Sequence, residues 1–168
     1  MKPEDFHKFV APAAASFFDE KYNSKEAQAQ ILAIGLQESQ FKYRRQLIGG
    51  HKRWWESLKG PAVSYFQFER IGIRGVLEHH STEHLADYVL KMFDYPSSVG
   101  TIHRALVHND LLAAVFARLA LYRYPAPLPV RGESSTAWIQ YLDIWRPGKP
   151  HPDRWEKNFN RAWKIVDG

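Results

Sequence analysis

Residues 111–121 read Leu-Leu-Ala-Ala-Val-Phe-Ala-Arg-Leu-Ala-Leu, apolar at every position but Arg118. A helix that is apolar on all sides has no face to offer water, so it must be enclosed by other elements. The run is far shorter than the roughly 20 residues that span a bilayer, so burial within protein is the remaining solution and no membrane insertion is expected. Asn109 or Asp110 can cap its start, and Pro125, Pro127 and Pro129 bar its continuation. The chain is therefore expected to wrap around a buried central helix. With 168 residues it has the length of one ordinary domain, 1–168, and enough surface to bury for a single core.

The punctuation on either side predicts further helices. Asn23 and Glu26 stand at cap and N3 spacing before Ala27-Gln28-Ala29-Gln30-Ile31-Leu32, which predicts a helix running to about Phe41. Residues 42–64 read as irregular, with Gly49-Gly50 and Gly60-Pro61. Val63 to Phe68 alternates weakly and reads as a short extended segment. Gly72 and Gly75 loosen the chain before a short helical piece near Val76 to His79. Ser81 or Thr82 opens a helix through Leu85, Val89 and Met92, and Ser98 opens another through Ile102 to Val107. Two more follow near Thr136 to Trp145 and Pro152 to Val166, with Pro152 suited to a first turn. The expected fold class is mainly α, with at most a very short β segment.

Composition narrows the function classes. Hydrophobic residues at 45% and charged residues at 24% exclude a disordered tail. The absence of cysteine removes disulfides, thiolate metal sites and a cysteine nucleophile. A net charge of +5 and six Trp suit an anionic or carbohydrate polymer, because cations steer it in and flat rings stack on sugars or bases. Met1-Lys2-Pro3-Glu4-Asp5 carries early acids and no long apolar stretch, so no signal peptide and a cytoplasmic synthesis are expected.

The most informative stretch is Ala33-Ile34-Gly35-Leu36-Gln37-Glu38-Ser39-Gln40-Phe41. On a helix Glu38 returns to within about 20° of Ile31, with Ile34 and Gly35 between them on the same face. Glu38 thus ends an apolar stripe. A carboxyl held among apolar groups loses solvation when ionised, so its pKa rises toward neutrality and it can protonate a leaving oxygen. The alternative is a helix-terminal ion pair with Arg44 or Arg45. Spacing alone leaves both open.

Gln37-Glu38-Ser39-x-Phe41 resembles the first motif of the soluble lytic transglycosylase and goose-type lysozyme group, in which a helix-terminal Glu followed by Ser is the catalytic acid. Gly60-Pro61-Ala62-Val63-Ser64-Tyr65-Phe66-Gln67-Phe68 is similar to that group's second feature, a Gly-rich turn, a hydrophobic pair and a Gln, with Gln67 matching the Gln. Tyr122 in Ala120-Leu121-Tyr122-Arg123 matches a Tyr late in an apolar helix. Val63 and Ser64 stand where the group has a small residue and Gly, and Arg123 stands where it has Asn. Residues 49–59 lengthen the gap from Glu38 to Gln67.

The whole chain, including Trp145-Arg146-Pro147-Gly148-Lys149-Pro150, also resembles small lysozyme-like proteins of tailed phages and prophages. The resemblance implies a lysozyme-like helical domain and a catalytic Glu38. It implies substrate contacts from Gln67, Tyr122 and the cleft-lining Tyr65 or Phe66. It further implies a peptidoglycan substrate, no cofactor, and action at the cell wall or within a phage particle alongside virion proteins. Glu38 alone would serve a lytic transglycosylase. A hydrolase would add a second carboxylate, for which Glu56 and Glu69 are candidates.

Other signals compete. His80-Ser81-Thr82-Glu83-His84 spells an inverted zinc-protease pattern, which needs both imidazoles on one helix. The chain is expected to break and recap at Ser81-Thr82, separating them, so no metal is expected. His51-Lys52-Arg53-Trp54-Trp55, with Lys42, Arg44 and Arg45, offers phosphate pairing and base stacking to nucleic acid, though no nucleic-acid-binding motif accompanies it. A non-catalytic lysozyme-like virion part is the third class.

Overall fold

A computed structural model describes residues 1–48 and 58–168. The basic and aromatic cluster at His51 to Trp55, and Glu56, lie outside the described residues. Among those described, the molecule is mainly helical with one two-stranded sheet.

The apolar run does form the central helix, α7 (Asp110–Tyr122), and every residue from Leu112 to Leu121 is buried. Asn109 caps it, its Oδ1 accepting from the Leu112 N–H at 2.9 Å. Arg118 shares that burial because its Nε–H donates to the Tyr22 carbonyl at 2.5 Å and its guanidinium lies near the Tyr22 and Tyr122 rings.

The shell around α7 begins with an N-terminal helical stretch, in which α1 (Pro3–Asp5) and α2 (Ala11–Ala15) flank a π-helical turn, Phe6–Val10. α3 (Lys25–Glu38) packs most extensively on α9 (Pro152–Asp167) and also touches α7. The cap of α3 is Ser24 and not Asn23, since the Ser24 Oγ accepts from the Ala27 N–H at 3.2 Å while Asn23 closes the preceding 3-10 turn. Nor does α3 reach Phe41. Ser39 takes over the Phe41 N–H at 3.1 Å, and Gln40 and Phe41 enter left-handed conformations at φ 54° and 55°.

The segment read as irregular holds an antiparallel pair, β1 (Arg45–Ile48) and β2 (Leu58–Val63), with Arg45 opposite Val63 and Ile48 opposite Leu58. Gly60-Pro61 resembles a turn in sequence but lies within β2, which tolerates proline in a sheet of only two strands. Beyond Val63 the expected extended segment gives way to a tight turn. Val63 and Phe68 exchange backbone hydrogen bonds at 3.0 and 2.7 Å around Ser64 and Gln67, whose φ values are 67° and 52°. Ser64 therefore keeps a conformation that favours glycine, and its Oγ accepts from the Phe66 N–H at 3.2 Å.

α4 (Arg70–Glu78) is longer than expected, with Gly72 and Gly75 inside it. Each lies under a side chain, Phe68 over Gly72 and Arg123 over Gly75, so lost helix propensity is offset by close approach. α5 (Glu83–Met92), α6 (Val99–Ala105) and α8 (Ser134–Trp145) complete the shell. Ser98 caps α6 as expected, accepting from the Thr101 N–H at 3.2 Å, and Pro152 opens α9.

Candidate active site

A cleft of about 1020 Å³ opens between the end of α3, the β1–β2 pair, α4, the end of α8 and the segment 146–151. Glu38, in the last turn of α3, is half-buried in its wall. The Tyr141 hydroxyl, from α8, donates to Glu38 Oε1 at 2.6 Å. Burial raises the Glu38 pKa to about 7; the Tyr141 hydrogen bond and the Arg154 charge pull it down, and the Glu69 carboxylate pushes it up. Burial and the adjoining Glu38 push the Tyr141 phenol well above its ordinary value, so it remains a donor. The ion-pair alternative does not form: Arg44 pairs with Asp110 at 2.7 Å, tying the start of β1 to α7.

The residues around Glu38 explain its motif. A Cβ on Gly35 would overlap the Phe41 ring, so glycine lets the chain fold back under the helix end. The Ser39 Oγ donates to the Tyr65 carbonyl at 2.7 Å, fastening that end to the 64–67 turn. Gln37 secures the opposite wall: its Nε2 donates to the Pro150 and His151 carbonyls at 2.6 and 3.0 Å, and its Oε1 accepts from Asn158 at 2.8 Å. Trp145 joins α8 to the same turn, its Nε1–H donating to the Phe66 carbonyl at 2.8 Å.

Of the residues expected from sequence, the cleft brings together Glu38 and Gln67, whose Nε2 donates to the Ser64 carbonyl at 2.7 Å. It does not gather the other three. Tyr65 and Phe66 are 1% and 0% exposed and pack with Phe6 and Phe41, so they are core residues beneath the site. Tyr122 packs against Tyr22 with tilted rings, their centroids 4.7 Å apart, and lies outside the cleft lining. The next residue, Arg123, does line the cleft. Glu69 lines the cleft and is exposed. His80 lies in the turn before α5 and His84 on it, so the His-x-x-Glu-His letters span two elements. Among the described residues, no group of three His, Asp or Glu is placed to hold a metal.

Tyr141 and Arg154 were not legible as site residues. The available signal for Tyr141 was a tyrosine on the inward face of an expected helix, where its hydroxyl needs a partner. Tyr141→Phe is expected to raise the Glu38 pKa, because it removes a hydrogen bond that favours the carboxylate. Any activity requiring protonated Glu38 should then extend to higher pH, with its maximal rate lowered about tenfold by lost positioning. A pH–rate profile of the variant checks both.

No family model, curated protein or solved structure matches this chain.

Proposed function

We propose that the protein cleaves the glycan strands of bacterial peptidoglycan between N-acetylmuramic acid and N-acetylglucosamine, with Glu38 as acid and then base. The observation that carries this is a carboxyl in the wall of a large open cleft, held near a pKa of 7 and oriented by Tyr141. The motif resemblance at Gln37-Glu38-Ser39 and Gln67 supports a lysozyme-like setting for it.

With Oε1 accepting from Tyr141, the proton of neutral Glu38 resides on Oε2. Oε2–H protonates the glycosidic oxygen as the bond to the muramoyl C1 breaks and positive charge develops there. The resulting carboxylate then takes the proton of the muramoyl 6-hydroxyl as that oxygen bonds to C1, closing a 1,6-anhydro ring and regenerating the acid. Tyr141 holds the carboxyl and stabilises its charged form between the two transfers. Gln67 lines the same cleft and is suited to bind sugar amide or hydroxyl groups. The scheme closes on one carboxyl and uses no cofactor. Glu69, close enough to influence Glu38, gives a hydrolytic variant its base if water takes the place of the 6-hydroxyl. The reading sets the protein to work at the wall, in the manner of phage and prophage lysozyme-like proteins.

Mass spectrometry of fragments released from purified peptidoglycan tests this. Anhydro-muropeptides are expected from the wild type and not from Glu38→Gln. Reducing-end products would replace the transglycosylase by a muramidase, and no product from folded wild type would sink the enzymatic reading in favour of a binding or structural role.

A further inference from the structure

Arg123 and Arg146 both line the cleft, near enough for the charge of Arg146 to act on Arg123. Each is the C-cap of a helix, Arg123 of α7 and Arg146 of α8, and the negative ends of those helix dipoles offset their mutual repulsion. Arg146 occupies a left-handed conformation, φ 47° and ψ 53°, at a position where glycine is the usual choice. Arg123 is half-buried, its guanidinium crosses α4 at Gly75, and its Nε is buried without a hydrogen-bond partner among the described residues. A Cβ at residue 75 would overlap that guanidinium, so the glycine makes room for it. Among the described residues neither arginine has a carboxylate within ion-pair distance. Asp143, which also lines the cleft, accepts from the Arg146 Nε–H through its backbone carbonyl at 3.3 Å, while its carboxylate accepts from the Tyr124 hydroxyl at 3.0 Å. Burial and the charge of Arg146 both weaken the hold of Arg123 on its proton, the condition of a cation lacking its anion.

We propose that Arg123 and Arg146 form an oxyanion subsite, which binds a carboxylate or phosphate carried as a substituent on the bound polymer. A guanidinium fork pairs with either group, and two cations with no carboxylate partner gain most from an anionic acceptor. Naming the polymer as a wall glycan rests on the reading above, whereas the anion preference rests on the two arginines alone. The two sources of such a group are the acidic peptide of the muramoyl residue and a wall phosphodiester. A neutral glycan would leave both charges unmatched, so the subsite selects substituted strands.

The test is calorimetric binding to Glu38→Gln protein, which leaves substrates intact. Its ligands are a peptide-bearing muroglycan tetrasaccharide, the same compound with its stem carboxylates amidated, and a phosphate-bearing wall glycan. Amidation is expected to weaken binding about tenfold, and that penalty should shrink to less than about twofold with Arg123→Gln added. Gly75→Ala should shrink it too, by displacing the guanidinium, while keeping the fold because alanine favours a helix. Tighter binding of the phosphate-bearing glycan, with no effect of amidation, would support the subsite and identify the phosphate as its ligand. Equal affinity for all three ligands, or an amidation penalty unchanged by both substitutions, would overturn it. Cleavage by the wild type without anion preference would overturn the subsite and keep the enzyme. Anion preference without cleavage would do the reverse.

Discussion

Glu38→Gln is expected to lower glycan cleavage by about 10²- to 10⁴-fold while making the protein more stable at alkaline pH. Gln fills the same space and its amide oxygen still accepts from Tyr141, so folding is retained. What changes is the proton. Glu38 titrates at about 7 in the folded protein against an ordinary 4.5, so between those values the folded chain holds more protons than the unfolded one. Stability therefore falls as pH rises through that window, and it falls by roughly 3 kcal/mol at most. Gln carries no such penalty. The variant should match the wild type in thermal unfolding near pH 4 and exceed it by about 5–10 °C at pH 8. Equal unfolding temperatures at pH 8 would mean that Glu38 ionises as freely as a surface carboxylate. The gain from removing Glu38 would be the stability that the protein forgoes for a poised acid.

Phe41→Ala is the second large effect, and it acts on stability first. Phe41 is 1% exposed, with its ring against Gly35 and within 5.0 Å of Phe6 and 5.3 Å of Tyr65 between centroids. Truncation opens a cavity in this cluster and is expected to cost about 3–5 kcal/mol in chemical denaturation. Phe41→Leu should cost clearly less, since most of the volume is kept. The cluster also underlies the end of α3, so the alanine variant should lose activity beyond its loss of folded protein. A cost below about 1 kcal/mol would show that Phe41 does not anchor that end.

The helical framework was legible because local signals agreed with tertiary demands. The run from Leu111 to Leu121 could only be buried, and Ser98, Asn109 and Pro152 act where their chemistry places them. The β1–β2 pair was not legible, because its first strand has only four residues and its second contains Gly60-Pro61, which reads as a turn. α4 was underestimated because Gly72 and Gly75 read as breaks, while their use is to admit Phe68 and Arg123. Glu38 stood out through its place at the end of an apolar stripe. Tyr141 did not, since its partner lies 103 residues away and no spacing within α8 reveals it. Tyr65 and Phe66 show the opposite difficulty: an aromatic beside a motif can serve as its foundation as readily as its lining.

The most direct test of the central claim joins titration to turnover at one carboxyl. The Glu38 side chain, observed by ¹³C NMR, would be titrated in the wild type, and peptidoglycan cleavage would be followed over the same pH range. A carboxyl that titrates near 7, an alkaline fall in activity at the same pH, and no cleavage by folded Glu38→Gln are the predicted results. Titration near the ordinary 4.5, or cleavage that persists in folded Glu38→Gln, would contradict the account.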